Sequence, residues 1–225
     1  MKNKLMLCAA MTMALAAASP AHAGIVINGT DYAAGAPGTT ISFNGFSDDG
    51  VVPGLSGDLT LSLTSIVGNV FNIAYTLLNT STLTGAKISS FGFNTDPNVA
   101  SAAASGGFDT ASLNVNYPVG FGNVEVCAFD GPGGTCTGNG TGPGVGGSVT
   151  GNLALTFASP QTSVTLSDFV TRYQGFTYNN TTSAIGTPAV PEPSTWAMML
   201  IGFGAIGAFM RRGKAADVKG RVSFA

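Results

Sequence analysis

The sequence predicts an all-β chain: a single antiparallel β-sandwich, jelly-roll-like, with an N-terminal signal peptide before it and a C-terminal apolar helix after it. Three observations carry that prediction. Leu59, Leu61 and Leu63 alternate with Thr60, Ser62 and Thr64; Phe71, Ile73, Tyr75 and Leu77 alternate in the next run; Leu153, Leu155 and Phe157 repeat the pattern. A period of two sends successive side chains to opposite faces, and one apolar face backed by one polar face marks antiparallel sheets. Turn signals at Asp49-Gly50, Val52-Pro53-Gly54 and Asp96-Pro97-Asn98 separate the runs. Only 9% of the 225 residues are charged and 32 are Gly, against about 25% charged in an average soluble protein. That composition excludes a coiled coil, a charged disordered chain and a binder of nucleic acid through basic patches.

Residues 1–23 read as a secretory signal peptide. Lys2 and Lys4 supply the positive start, an apolar run follows over residues 5–18, and Ala21-His22-Ala23 has the small-x-small form cut by signal peptidase, before Gly24. Only three residues separate Cys8 from Lys4, so it belongs to the apolar run and is not a lipid attachment site.

Residues 24–189 form the predicted sandwich. To the three alternating runs the sequence adds strand candidates at 40–46, 87–93, 113–117, 124–129 and 164–173, about eight strands in all. The alanines of 98–106 are compatible with one helical turn. Eleven Phe and five Tyr between residues 24 and 190 give the core enough material for one domain. Cys127 and Cys136, the two cysteines left after export, flank a Gly-rich loop in an oxidising compartment and predict a disulfide. A metal pair would need further ligands of His or Cys type, and a redox pair a Cys-x-x-Cys spacing; neither is present.

The titratable inventory narrows the chemistry. Between residues 24 and 190 the cations are Lys87 and Arg172 and the anions are eight Asp and Glu125, so two minus nine gives a formal charge of −7. Nucleic acid and anionic membrane surfaces are poor partners for such a domain, and an acidic polysaccharide is repelled unless divalent cations bridge the two. The single histidine, His22, leaves with the signal peptide, which removes Ser-His-Asp, Cys-His and His-ligated zinc sites. One Glu excludes a Glu pair for glycoside hydrolysis, no Gly-x-Ser-x-Gly elbow occurs, and a Ser-Lys dyad would have to use Lys87. The sequence therefore predicts no catalytic residues, no cofactor and no metal. Asp48-Asp49 and Asp130 beside Gly-rich loops are the best calcium candidates, but no Asp-x-Asp-x-Asp loop with a closing Glu accompanies them. The Gly-x-Gly-x-x-Gly matches at Gly142 and Gly202 lack the strand–helix context of a dinucleotide site.

From residue 195 to 210 no charge occurs. Those 16 residues make about 24 Å of helix, short of the roughly 30 Å hydrocarbon core but able to insert where the bilayer thins. Arg211, Arg212 and Lys214 follow and mark the cytoplasmic end, leaving 214–225 as a cytoplasmic tail. Just before the helix stands Val190-Pro191-Glu192-Pro193-Ser194-Thr195-Trp196-Ala197.

Pro191-Glu192-Pro193, Trp196-Ala197, a short apolar helix and the Arg211-Arg212 cluster, in that order, resemble the PEP-CTERM sorting signal over residues 190–213. The resemblance implies export, an inner-membrane anchored intermediate, cutting near the motif by an exosortase-like membrane protease, and release to the cell surface or the exopolysaccharide layer. The 12 residues from Lys214 to Ala225 extend beyond the cluster, longer than in many such tails. The stretch 164–176, with Asp168 and Arg172-Tyr173-Gln174, resembles the last strand of exported PEP-CTERM β domains and implies a pairing of Arg172 with an Asp. With the two cysteines it also resembles the two-cysteine cistern group.

The function expected is a non-enzymatic envelope or matrix protein, structural or adhesive in exopolysaccharide or biofilm. The alternative is a carbohydrate-binding module, with or without calcium, that stacks sugars on Tyr32, Tyr117, Tyr173 and Tyr178 and bonds them through Asn and Asp loops. The 23 Thr, 16 Ser and 14 Asn of the domain serve either role, since they hydrate a surface without charge.

Overall fold

The computed structural model describes residues 24–29, 38–131, 134–138, 140–189 and 200–204. The signal peptide, Pro191 to Ala197, Arg211, Arg212 and the tail lie outside the described residues, as does all of the 195–210 helix except 200–204, which is helical. Among the described residues no helix is long and apolar enough to cross a membrane.

Strand follows strand: β1 (Ile25–Asn28), β2 (Thr39–Ser47), β3 (Gly50–Val67), β4 (Val70–Asn79), β5 (Lys87–Asp96), β6 (Val99–Gly106), β7 (Thr110–Tyr117), β8 (Gly122–Phe129), β9 (Ser148–Phe157), β10 (Ser163–Tyr178) and β11 (Thr181–Pro188). They form one sheet in the order β6-β9-β4-β3-β2-β11-β10-β5-β8-β7, with β1 pairing β10. Every pairing is antiparallel. The all-β antiparallel architecture expected from the period-two pattern is thus what the chain adopts. The two edge strands, β6 and β7, are consecutive in sequence and joined by residues 107–109. Three residues reach only about 10 Å, so the sheet has to wrap until its edges nearly meet, as an almost closed barrel.

Tyr75 ties that closure. Its phenol donates to the Phe108 carbonyl at 2.9 Å and accepts from the Phe108 N–H at 2.7 Å. The ring of Tyr75 packs edge-on to Phe91 at 5.1 Å, and Phe91 lies 5.9 Å from Phe108. Leu59, Leu61, Leu63, Phe71, Ile73, Leu77, Leu153 and Leu155, the residues of the alternating runs, fill the same interior.

Two sequence readings are corrected by pairing. Residues 99–106 are strand, not a helical turn: β6 pairs with β9 along nearly its whole length, and the ladder outweighs the helix preference of its alanines. Val52-Pro53-Gly54 lies inside β3 and does not end it. Asn44 pairs with Ser56 and Phe46 with Val51, so residues 52–55 bulge out opposite Gly45. A bulge is where a strand tolerates proline, because no ladder bond is asked of its nitrogen. Strands β1 and β11 were not anticipated. Both are short and lie along the same side of β10, β1 against residues 163–166 and β11 against 171–178.

Strict alternation also fails at the centre. In β5 residues 88–93 are buried without a break, and in β10 so are residues 169–173. A second cluster covers the outer face there: Tyr117, Val124, Cys127, Phe129, Cys136, Val170 and Ile185.

Candidate functional site

The second cluster exists because the β8–β9 connection folds back over the sheet. Cys127 at the end of β8 and Cys136 in the connection are joined by a disulfide, with Cα atoms 6.1 Å apart. The Cys136 carbonyl accepts a hydrogen bond from Ser90 Oγ at 2.6 Å, and Ser90 and Tyr117 hydroxyls lie 2.9 Å apart. Further along, the Gly138 carbonyl accepts from Gln174 Nε2 at 2.5 Å. The connection is thus fastened to β5 and β10 by side chains that point outward.

Beside it opens a pocket of about 370 Å³ whose walls include Thr137, Arg172, Gln174, Thr182 and Ser183. The register explains the grouping. Arg172 opposes Ile185 and Gln174 opposes Ser183, so these four side chains share one face of the β10–β11 ladder. Arg172 is only 8% exposed, and its Nε has no hydrogen-bond partner. Among the described residues no ion pair joins its guanidinium, so the implied Arg172–Asp pairing is not formed there. Asp168 stands on the same strand with a left-handed backbone, φ 50°, and its Oδ2 accepts from Asn94 Nδ2 at 2.9 Å. Burial is the main influence on Arg172 and pushes its guanidinium below the ordinary arginine value; the nearby Tyr117 phenol acts in the opposite direction. A guanidinium stays charged in proteins, so the site holds a buried cation next to an open, polar space.

The other candidate residues are committed to the fold. Glu125 Oε2 accepts from the Thr95 N–H at 3.0 Å and Thr95 Oγ1 at 2.6 Å, and Oε1 from the Val99 N–H at 2.6 Å; it clamps the β5–β6 turn. Asp130 accepts from the Thr141 hydroxyl, and Asp109 from the Gly131 N–H at 2.9 Å. The Gly131 N–H, and after it the Thr110 hydroxyl, hold the Asp109 carboxyl below its ordinary value. Asp48 and Asp49 form the β2–β3 turn. No group of three or more His, Cys, Asp or Glu that could hold a metal ion occurs among the described residues. Lys87 is exposed at the start of β5, and Gly24 is exposed ahead of β1.

The tyrosines proposed as sugar platforms are corrected by burial. Tyr117 is 2% and Tyr173 0% exposed, and Tyr178 packs against the core, which leaves no open ring face on Tyr117 or Tyr173. Tyr32 lies outside the described residues. The pocket itself was missed in the sequence. Its one available signal was an arginine within the buried stretch 169–173 of β10, which reads as an ion pair from sequence alone.

No curated protein and no solved structure matches this chain. Residues 189–214 match the family model of the PEP-CTERM protein-sorting motif, which indicates export and sorting to the cell surface by an exosortase-type membrane protein.

Proposed function

We propose that the β domain is a non-enzymatic surface protein that takes part in the extracellular polysaccharide matrix, delivered there through its C-terminal motif. The observation that carries this reading is the sorting motif at 189–214, directly after β11. The side-chain inventory supports it. The chain downstream of the signal peptide has no histidine. Both oxygens of Glu125 are spent on N–H and hydroxyl groups of the β5–β6 turn, whereas a general acid or base needs a free site near substrate. The inner membrane is a transient anchor in this reading, signal peptidase and the exosortase are the processing partners, and exopolysaccharide is the working partner.

Enzymatic digestion of the extracellular polysaccharide of producing cells tests it. The protein is expected to pass from the matrix fraction into the medium as the polymer is degraded. Retention on washed, polysaccharide-free cells in unchanged amount would contradict a matrix role.

A further inference from the structure

We propose that the pocket beside the disulfide connection binds the carboxylate of a sugar acid, with Arg172 as its charged anchor and the hydroxyl and amide groups of Thr137, Gln174, Thr182 and Ser183 around the sugar ring.

Arg172 is more than nine-tenths buried, its Nε is unpartnered, and it lines the space. A buried guanidinium nitrogen left without a partner is unfavourable, and an arginine whose Nε is kept in that condition beside an opening is explained by an anion that arrives from solution. The rest of the domain makes this cation conspicuous: it is one of two against nine carboxylates. A planar guanidinium matches a carboxylate through two parallel N–H···O bonds. Among the described residues the remaining walls are hydroxyls, an amide and two glycines, with no aromatic ring, a surface that bonds sugar hydroxyls but offers no stacking face. The volume of about 370 Å³ suits one or two sugar rings. The domain's −7 charge opposes a long polyanion lying across the surface, so the ligand is a single acidic sugar: free in solution, or at the end of a chain. Gln174 has a second role, since its bond to the Gly138 carbonyl fixes the wall that carries Thr137.

The inference rests on the matrix reading only for where the sugar acid comes from; the pocket chemistry stands apart from it. Calorimetric titration of the purified full chain with D-glucuronate, D-glucose and inorganic phosphate is the test. D-glucuronate is expected to bind saturably with Kd on the order of 1 mM, and glucose and phosphate at least about tenfold more weakly. Arg172→Met is expected to abolish binding while melting no lower than the parent, because it removes an uncompensated buried charge. Arg172→Lys is expected to lose about tenfold or more, lacking the planar fork. Ser183→Val, which leaves the cation in place, is expected to weaken glucuronate about three- to tenfold and phosphate hardly at all. Absence of saturable glucuronate binding, equal affinity for glucose, phosphate binding as tight as glucuronate, or unchanged binding by Arg172→Met would overturn the proposal. If Arg172→Met does not fold, Ser183→Val and the phosphate titration decide alone. A linear oligouronate run in parallel separates the sources: one site per chain end marks a polymer terminus, and binding of the monomer alone marks the free sugar acid. Cell fractionation of Arg172→Met keeps the two readings distinguishable, since a pocket variant is expected to reach the matrix or medium at parental length whether or not it binds.

Discussion

Tyr75 shows how one hydroxyl can decide the closure of a sheet. It satisfies both the N–H and the C=O of Phe108, in the three-residue link between the two edge strands. Tyr75→Phe leaves that buried peptide pair unpartnered, and a loss of about 1–3 kcal/mol is expected in denaturant unfolding; an unchanged midpoint would mean that the link carries no stability. Burial pushes the phenols of Tyr75, Tyr117 and Tyr173 above the ordinary value. The folded state therefore favours their protonated forms. Their contribution to stability is complete below about pH 10 and is lost as pH rises above it. In an alkaline titration the ultraviolet signal of these three phenolates is expected to grow only together with unfolding. Ionisation of all of them in a chain that keeps its far-ultraviolet circular dichroism would contradict the packing described. Arg172 obeys the opposite logic: burial of its guanidinium opposes folding, and in the proposed site a bound carboxylate offsets that cost.

At the scale of the element, the sequence was most legible where a strand has one wet face. Residues 59–64, 71–77 and 153–157 became parts of β3, β4 and β9 with their leucines and phenylalanines inside. It was least legible where tertiary pairing overrules local preference. The alanines of β6 read as helix because nothing in residues 98–106 announces that β9 will pair with them. Pro53 read as a terminator because a bulge is a relation between two strands, and Gly45 on the partner is what accommodates it. The pocket was illegible for the same reason: Ser183 and Gln174 meet through the β10–β11 register, and Thr137 is brought in by the disulfide-bonded connection. That connection has its own test. The disulfide closes a loop of about ten residues, and its removal by Cys127→Ser with Cys136→Ser is expected to lower stability by about 2–3 kcal/mol. Amide exchange is expected to rise first around Cys136 and Gly138, which the loop holds against β5 and β10. Protection unchanged along that connection would show that the hydrogen bonds to Ser90 and Gln174 hold it without the disulfide.

At the scale of the whole molecule, a nearly closed sheet with few charges is joined to a 26-residue sorting motif. The motif was legible at once, because Pro-Glu-Pro, the apolar run and the arginines are signals written in local sequence and need no folded context. What the domain does at the surface was not, because the residues of the proposed pocket come from three separate stretches of chain. The division of labour makes a clear expectation. In the proposed account the apolar run and Arg211-Arg212 serve to hold the exported chain in the inner membrane, and Pro191-Glu192-Pro193 is the segment that the sorting protease recognises. Replacing Pro191, Glu192 and Pro193 together with Ala, followed by fractionation and mass measurement of the protein, tests this account most directly. The account predicts an uncut chain that accumulates in the inner membrane, with its β domain outside the cytoplasm. Recovery of the variant at the cell surface or in the medium as a shortened chain would contradict it.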